Sequence, residues 1–365
     1  MNRPAGDTMP DRIKVGVVGC RVGRSWVEGA RAGDDTVAWA VADLNQELAR
    51  RVAHENGVPR VYRDYGELLA DDEVEAVGIA TAPDVRKPMV IDALNAGKHV
   101  LVQKPHGRSA ADVREINAVA ADCGKTLVYS YFMRHEEENK RSRGLIADGR
   151  IGRPYHARVH YHYRERGIDF EPPPGREWLY RWGLKGGALG QHGSHFLDQA
   201  WYLLGCPQPD WAFAVSHSAF PTTLEVARHS EDYMSILAGC AGGITIQMDT
   251  SAVVPTWADR AWDLRLRILG TAGTIEFESV STAHGSMRTG TRRLLDGIYT
   301  EGDSFVDEYV AHGNGDFNAE IRDFAGAIRG IHPPDVSPDD ALTFMRLLDA
   351  IYLSAETGEK IVVDS

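Results

Sequence analysis

HVLVQKP, residues 99–105, is the most informative stretch of this chain. Three aliphatic residues lead almost directly to Lys104, and Pro105 follows at once. A short apolar run bounded by turn residues is typical of a strand covered on both faces, and a proline cannot extend a ladder of backbone hydrogen bonds. The stretch therefore predicts a buried strand with Lys104 at its carboxyl end. In an open parallel sheet, ligands bind at that edge.

Strands and helices alternate on both sides of this stretch, from about residue 13 to residue 131. The apolar runs Ile13–Gly19, Thr36–Asp43, Glu73–Pro83 and Leu127–Tyr131 predict strands. Helices are predicted at Ser25–Ala32, Leu44–Asn56, Tyr65–Ala70, Val85–Ala96 and Ser109–Cys123. Helices of this length between strands are typical of βαβ units, and therefore of a parallel sheet.

The turn after the first predicted strand carries Gly19 and Gly23. VGVVGCRVGR resembles the dinucleotide fingerprint, in which glycines let the backbone approach a pyrophosphate at the amino terminus of a helix. Arg21 stands where the second glycine is usual and Arg24 where the third would fall, so an ordinary glycine-rich turn is the alternative for this motif alone. Asp43 ends the next strand about 20 residues further on, where an acidic residue normally holds the ribose hydroxyls. A carboxylate there would repel the 2′-phosphate of NADP, so NAD is the predicted cofactor and NADP is the alternative.

The sequence changes in character after about residue 131. GRIGRPYHARVHYHYRER, residues 149–166, alternates as a long strand with one buried and one open face does. His160, His162 and Arg164 share one face of it, opposite Tyr161. This row of side chains could be a metal site, a substrate-facing surface or an ordinary polar face of a sheet. The ordinary polar face is favoured, so no metal is predicted.

Several β-rich runs follow without helices between them, which predicts a mostly antiparallel sheet. They are residues 211–218, 233–238, 243–250, 264–269 and 274–278, and helices are predicted at residues 139–148, 317–329 and 338–357.

Two segments of this second half are candidates for substrate contacts. Trp178–Lys185, WLYRWGLK, suits sugar stacking and hydroxyl contacts, and a packed loop is the alternative. GGALGQHGSHFLD, residues 186–198, leads into a helix, on which Gln191 and His195 fall on one face as an i, i+4 pair. His192 and His195 are an i, i+3 pair, but a third metal ligand is lacking.

Composition narrows the class of protein. With 365 residues the chain is long enough for two domains, since single cores stop growing at about 250 to 300 residues. The formal charge of −12 argues against a nucleic-acid partner, and no stretch approaches the roughly 18 apolar residues of a membrane span. No two cysteines form a CxxC pair, so the sequence does not indicate a zinc ribbon or a disulfide framework. A cytoplasmic protein is predicted; its four cysteines are Cys20, Cys123, Cys206 and Cys240.

Taken in order, the motifs VGVVGC, ATAP, VQKP, SYFMRH, GRIGRPY, GGALGQHGSH and LGTAGTIEFE resemble the glucose-fructose oxidoreductase, inositol dehydrogenase and MocA-like (Gfo/Idh/MocA) family. The resemblance implies an α/β fold: a flexible tail at residues 1–12, an N-terminal Rossmann dinucleotide-binding domain at residues 13–130, and a C-terminal α/β domain at residues 131–365. The second domain would carry a large, mainly antiparallel open sheet for substrate binding and oligomerisation. A homodimer or homotetramer is expected.

The family's site motifs match this chain in part. Its Glu-Lys-Pro motif corresponds to Gln103–Pro105, so the catalytic lysine is kept and the acid is an amide. Its helix motif, Asp-x-Gly-x-His, corresponds to Gln191–His195, so the histidine is kept and the aspartate is again an amide. Arg86 stands where a histidine is usual.

The resemblance implies an NAD(P)-dependent enzyme that transfers a hydride between nicotinamide and a carbinol carbon of a sugar, inositol or related polyol. A lysine with an ordinary pKa near 10.4 is a poor base, but burial and a cationic nicotinamide would lower its pKa toward about 7 to 8. Lys104 or His195 would then exchange the proton, with Gln191 as a positioner. An NAD-dependent glycosidase that oxidises a sugar transiently, and a non-catalytic NAD(P)-binding regulatory protein, are the alternatives.

The predicted site residues follow from these motifs together. Those expected to bind the cofactor are Gly19, Cys20, Arg21, Val22, Asp43, Thr81, Ala82, Pro83 and Lys104. Those expected to contact the carbohydrate or polyol substrate are Lys104, Arg164, Trp178, Arg181, Trp182, Gln191, His192 and His195.

Overall fold

The structure is a computed structural model that describes residues 12–163, 186–218, 230–253, 260–282, 291–297, 306–311 and 317–364. Its described residues fall into two compact units, one drawn from Met1–Phe132 and Asp316–Ala341 and the other from Met133–Gly315 and Leu342–Ser365. The predicted tail lies outside the described residues except for Arg12. None of the described helices is both long and apolar enough to cross a membrane.

The first unit is a parallel sheet with helices between its strands. Its described strands are β1 (Ile13–Val18), β2 (Thr36–Ala42), β3 (Arg60–Tyr62), β4 (Ala76–Ile79), β5 (His99–Val102) and β6 (Leu127–Tyr129). The helices between them are α1 (Arg24–Ala32), α2 (Gln46–Asn56), α3 (Tyr65–Leu69), α4 (Pro83–Asn95) and α5 (Ala110–Cys123). The strand order β3-β2-β1-β4-β5-β6 is that of a Rossmann sheet, and the order reverses between β1 and β4. The predicted fold class of this unit is confirmed.

Local signals set the helix ends of this unit. The Asp64 side chain accepts from the backbone N–H of Glu67 at 3.0 Å, and the Ser109 hydroxyl accepts from that of Asp112 at 3.4 Å. The αL residue Gly124, with φ of 60°, ends α5. Side-chain acceptors at the start and glycine at the end satisfy backbone groups that a helix leaves unpaired.

A segment near the end of the chain also packs on this unit, although residues 316–341 were predicted to belong to the second domain. The helix Phe317–Ile328 (numbered α8 in chain order) places Ile321 and Phe324 in the hydrophobic core around Val27. Glu320 accepts a buried hydrogen bond of 2.6 Å from the Trp26 indole N–H. The apolar face of α8 therefore covers α1, a partner almost 300 residues earlier that composition could not identify.

The second unit is built on a nine-stranded mixed sheet. Its strands are β7 (Pro154–Tyr163), β8 (Pro209–His217), β9 (Tyr233–Cys240), β10 (Ile244–Ser251), β11 (Arg260–Gly270), β12 (Thr274–Thr282), β13 (Thr291–Gly297), β14 (Val306–Ala311) and β15 (Ile361–Val362), and its helices are α6 (Glu137–Ala147), α7 (Ser194–Leu203) and most of α9 (Pro338–Thr357). The order is β14-β13-β12-β11-β7-β10-β9-β8-β15. β7 and β10 pair in parallel and the other described neighbours pair antiparallel, which agrees with the predicted sheet.

The two faces of this sheet differ. Tyr161 and Tyr163 of β7 are buried, and the Tyr161 ring lies 4.0 Å from that of Phe196 on α7, centroid to centroid. The alternate residues, including His160 and His162, face away from α7. We call this second side the open face.

Candidate active site

The glycine turn after β1 brings the backbone of three segments together. Gly19 has φ of 90°, and a Cβ atom on it would lie 2.7 Å from the carbonyl oxygen of Ala80. A Cβ atom on Gly23 would lie 2.5 Å from Cγ1 of Val17, so α1 packs tightly on β1 only because this residue is glycine. Gly23 thus fulfils the packing role of the fingerprint's third glycine, one position earlier than the motif predicts.

Arg24, at the position usual for that third glycine, is a surface residue. Its guanidinium pairs with Glu28 at 2.8 Å and with Glu55 at 3.2 Å. The positive charge of Arg24 is therefore offset by two carboxylates.

Asp43 lies against the same turn, directly after β2. Its Oδ2 accepts from the backbone N–H of Cys20 at 2.7 Å and its Oδ1 from that of Asn45 at 2.8 Å. Burial, and next the charge of Asp43, raise the pKa of the Cys20 thiol to about 12, so this thiol stays protonated. Cys20 therefore contributes its backbone, rather than a reactive thiolate, to this turn.

The donors and acceptors of this edge fit NAD. The amino terminus of α1 has no side-chain cap and no acidic residue in its first turn, so no carboxylate there offsets the positive end of the helix dipole, which favours an anion such as a pyrophosphate. The half-buried Asp43 carboxylate has further lone pairs with which to accept from ribose hydroxyls. Arg21 and Val22 lie in the turn between β1 and α1, and Thr81, Ala82 and Pro83 follow the carboxyl end of β4, so the remaining predicted cofactor residues also lie at this edge.

Lys104 is half-buried two residues after the end of β5, and its peptide bond to Pro105 is cis. The Lys104 backbone N–H donates to Oε1 of the buried Gln103 at 2.8 Å. The Gln103 amide therefore stabilises the backbone of residues 103–105, which we call the lysine loop. A glutamate could accept the same hydrogen bond, so the replacement of the family's acid preserves this function.

Arg86 was predicted only as a replacement for a histidine, without a function of its own. It is buried on α4, and its guanidinium donates to the carbonyl of Gln103 at 2.8 Å and also to those of Pro105 and Thr81. Burial lowers the pKa of Arg86 to about 9, with the charge of Asp84 acting in the opposite direction, so Arg86 is charged at neutral pH. A single cation thus ties the loop after β4 to the lysine loop. The signal in the sequence was that Arg86 stands where the family usually has a histidine, near the start of α4.

Gln191 and His195 belong to the second unit, and both are buried. The Gln191 amide nitrogen donates to the carbonyl of Gly186 at 2.5 Å. Gly193, between them, allows α7 to approach β10, because a Cβ atom there would lie 2.9 Å from Oγ1 of Thr250.

The regular helical spacing predicted for Gln191 and His195 is wrong. Leu189–Gly193 is a π-helical segment, and α7 begins only at Ser194. A π-turn holds more residues than an α-turn, so the i, i+4 register predicted for Gln191 and His195 is not that of a continuous α-helix. Glu231 pins the start of the segment, since its Oε1 accepts from the Leu189 N–H at 2.9 Å. Residue propensities do not distinguish a π-helical from an α-helical segment, so the sequence did not predict this difference.

The remaining predicted substrate residues are divided between described and undescribed parts of the chain. His192 is exposed, with its ring 4.7 Å from that of Tyr163, centroid to centroid. Four others lie outside the described residues: Arg164, Trp178, Arg181 and Trp182.

Comparison with known proteins identifies the family. Residues 13–131 match the oxidoreductase-family NAD-binding Rossmann fold, and residues 143–363 match the oxidoreductase-family C-terminal alpha/beta domain, the two parts of the Gfo/Idh/MocA family. The first match confirms NAD as the predicted type of cofactor.

Relatives of known activity cover the chain almost completely. The 1,5-anhydro-D-fructose reductase of Ensifer adhaerens is 27% identical over 96% of this chain and 98% of that protein. The myo-inositol 2-dehydrogenase of Thermotoga maritima is 23% identical over 96% of this chain and 99% of that protein. A levoglucosan dehydrogenase solved with NADH and levoglucosan has the same fold, with a TM-score of 0.80 and 21% identity over 97% of this chain and 100% of that chain.

These relatives are sugar and polyol oxidoreductases, which confirms the function class predicted from the sequence. Since its two family matches together span most of its length, the chain belongs to the Gfo/Idh/MocA family of NAD(P)-dependent oxidoreductases.

Proposed function

We propose that Lys104 is an acid–base group in hydride transfer between NAD and a carbinol carbon of a sugar, inositol or related polyol. The position of Lys104 in the fold supports this role. Lys104 lies at the carboxyl end of β5, in the same sheet as the dinucleotide turn, on a loop fixed by Gln103 and Arg86. A positioned acid or base at that edge is what the reaction requires of the protein.

The residues of this chain have separate tasks in that reaction. NAD, when bound, supplies the hydride acceptor for oxidation, and NADH supplies the donor for reduction. Lys104 takes the proton of the substrate hydroxyl in oxidation and returns it in reduction, with His195 as the second candidate for this transfer. Gln191 is neutral and cannot take the proton, so its task is to orient a hydroxyl or a ring by hydrogen bonding.

A preference for NAD over NADP is part of the proposal. The Asp43 carboxylate supports it, since its charge repels a 2′-phosphate, and Arg24 is already paired with Glu28 and Glu55. Fluorescence titration with both reduced cofactors tests this preference. NADH should bind more tightly, and a lower Kd for NADPH would refute it.

On the substrate side, we assign sugar contacts to the second unit. Aromatic and basic side chains suit stacking on sugar rings and hydrogen bonding to hydroxyls. The assigned residues are Arg164, Trp178, Arg181, Trp182, Gln191, His192 and His195.

A panel of sugars, inositols and polyols, followed by nicotinamide absorbance with both cofactors, tests the activity. At least one should give stoichiometric reduced cofactor and oxidised product. Net cleavage of a glycoside without accumulation of NADH would favour the glycosidase instead. Tight NADH binding without turnover on any member would favour the regulatory protein.

Self-association and a cytoplasmic location complete the proposal. The part of the open face on β8 and β9 carries Phe213, Val215 and Leu237, which are 38%, 43% and 40% exposed, and a second copy docked on these two strands would remove them from water. The four cysteines, which all belong to the described residues, form no disulfide with one another, as suits a reducing compartment. Light scattering at micromolar concentration should give a dimer or tetramer mass. A monomer mass would exclude self-association.

A further inference from the structure

Three side chains with metal-binding atoms meet on the open face of the second unit. His160 and His162 are alternate residues of β7, and Asp249 of the neighbouring strand β10 lies opposite His160 in the register. Asp249 Oδ2 lies 2.6 Å from Nδ1 of His160 and 2.8 Å from Nε2 of His162. Two imidazoles and one carboxylate oxygen therefore converge on one point.

This cluster is both accessible and held in place. The side chains of His160, His162 and Asp249 are 30%, 28% and 23% exposed, so an ion could reach them from solvent. The two imidazole rings lie 4.0 Å apart, centroid to centroid. Because all three residues project from paired strands, the pleat fixes their spacing without a loop.

Asp249 supplies the carboxylate of the cluster. An ionised aspartate has only acceptor atoms, and their lone pairs can bind a cation. Asp249 therefore complements the two imidazoles with an oxygen ligand.

We propose that His160, His162 and Asp249 bind a divalent first-row transition-metal ion, with Zn²⁺ as the reference ion. Two imidazoles with one carboxylate form a donor set found for such ions, whereas Mg²⁺ and Ca²⁺ prefer oxygen ligands. The three ligand atoms lie within 4.8 Å of one another. Metal–ligand bonds of about 2.0 to 2.2 Å in a tetrahedral site separate the ligand atoms by roughly 3.3 Å. The ion would thus replace the two hydrogen bonds after the carboxylate oxygen and the two imidazole nitrogens part by about 0.5 to 0.7 Å, and water would complete its coordination.

The cation that faces His160 from β11 is paired with a carboxylate. On β11, Arg265 lies opposite His160, and it pairs with Asp263 at 3.3 Å, which lies opposite His162. The nearest opposing cation on that strand is therefore already neutralised. On the other side, the Tyr233 ring stands edge-on to His162 at 6.2 Å between centroids.

The consequence for the fold is a link between β7 and β10. The ion would join these two neighbouring parallel strands through side chains in addition to their backbone hydrogen bonds. Since an ion that binds only the folded state stabilises it by mass action, Zn²⁺ should raise the melting temperature of the protein.

Calorimetric titration of chelator-treated protein with ZnCl₂ tests the site. The wild type should bind one ion per chain with a Kd in the micromolar range or below, and Zn²⁺ should raise its Tm. Asp249→Asn and His162→Ala should each weaken binding by at least about 100-fold, since even the loss of an outer-shell partner costs 10- to 100-fold. His156→Ala is the matched control, because His156 lies on the same strand and face but bonds to Oγ1 of Thr245 at 2.8 Å. Its affinity should equal that of the wild type.

A second measurement needs no variant. Zn²⁺ should protect His160 and His162, but not His156, from diethyl pyrocarbonate, as mapped by mass spectrometry of the wild type. Absence of stoichiometric Zn²⁺ binding, equal affinities in wild type and Asp249→Asn, or equal modification of the three histidines with and without Zn²⁺ would each overturn the proposal.

Discussion

Replacement of Arg86 by methionine tests whether the lysine loop must be braced for turnover. The Arg86 guanidinium donates to the carbonyls of Thr81, Gln103 and Pro105, which belong to the two loops after β4 and β5. Methionine fills a similar volume but donates no hydrogen bond. The variant therefore leaves three buried or half-buried carbonyl groups without this donor and releases the loop that carries Lys104.

The size of the effect follows from these contacts. An unmet buried polar group costs about 1 to 3 kcal/mol, so three of them, partly relieved by water, should destabilise the fold by about 3 kcal/mol or more. Displacement of a catalytic group by about 1 Å can lower turnover about 100-fold. Arg86→Met should therefore lower kcat by about two orders of magnitude while changing the Kd of NADH less than about tenfold.

The assay combines nicotinamide absorbance for kcat, NADH fluorescence for Kd and urea unfolding for stability, all at one temperature. Arg86→Lys is the matched variant, since it keeps the charge but offers a single point donor instead of a fork. Its kcat should fall between those of the wild type and Arg86→Met. If folded Arg86→Met keeps a kcat within about threefold of the wild type, the brace is not needed for turnover.

Other contacts give two stability predictions. Burial, and next the charge of Lys125, lower the pKa of His99, whose Nδ1 accepts from the Thr126 N–H at 3.0 Å. Because its folded pKa lies below the unfolded value near 6.5, this stabilisation is complete above about pH 6.5 and is lost as the pH falls. Between pH 7.5 and 5.5, roughly the range around that unfolded pKa, His99→Gln should then lose less free energy of unfolding than the wild type. Equal losses in the two proteins would contradict a lowered pKa of His99. Arg134 and Asp198 form a two-pronged ion pair of 3.0 and 2.6 Å with side chains 1% and 0% exposed. Asp198→Ala leaves a buried guanidinium without this partner and should lower the free energy of urea unfolding by about 3 to 5 kcal/mol, and a loss below about 1 kcal/mol would refute this. The control Arg24→Ala, on the surface, should change the free energy of unfolding little.

The sequence predicted those features whose causes are local. The strand before Lys104, the caps Asp64 and Ser109 and the alternating faces of β7 all depend on residues within a few positions of one another. Each was therefore visible as a short pattern. The three-residue strand β3, by contrast, has no alternation of its own and owes its pairing to β2.

Features set by distant contacts were missed. The pairing of α8 with α1 depends on Trp26 and Glu320, and Asp249 meets His160 only through the register of β10 on β7. The histidine row was noticed without its carboxylate for this reason. Arg86 was noted as a replaced histidine, but its three carbonyl partners come from loops that only the folded sheet brings together.

The most direct test of the central claim is the turnover of Lys104→Ala beside its affinity for NADH. Turnover should fall by about 10² to 10⁴, the usual contribution of a positioned acid or base, while the Kd of NADH changes little. His195→Ala, measured alongside, shows whether the second candidate shares the proton transfer. Near-normal turnover in Lys104→Ala, with the protein folded and NADH bound as in the wild type, would contradict the role assigned to Lys104.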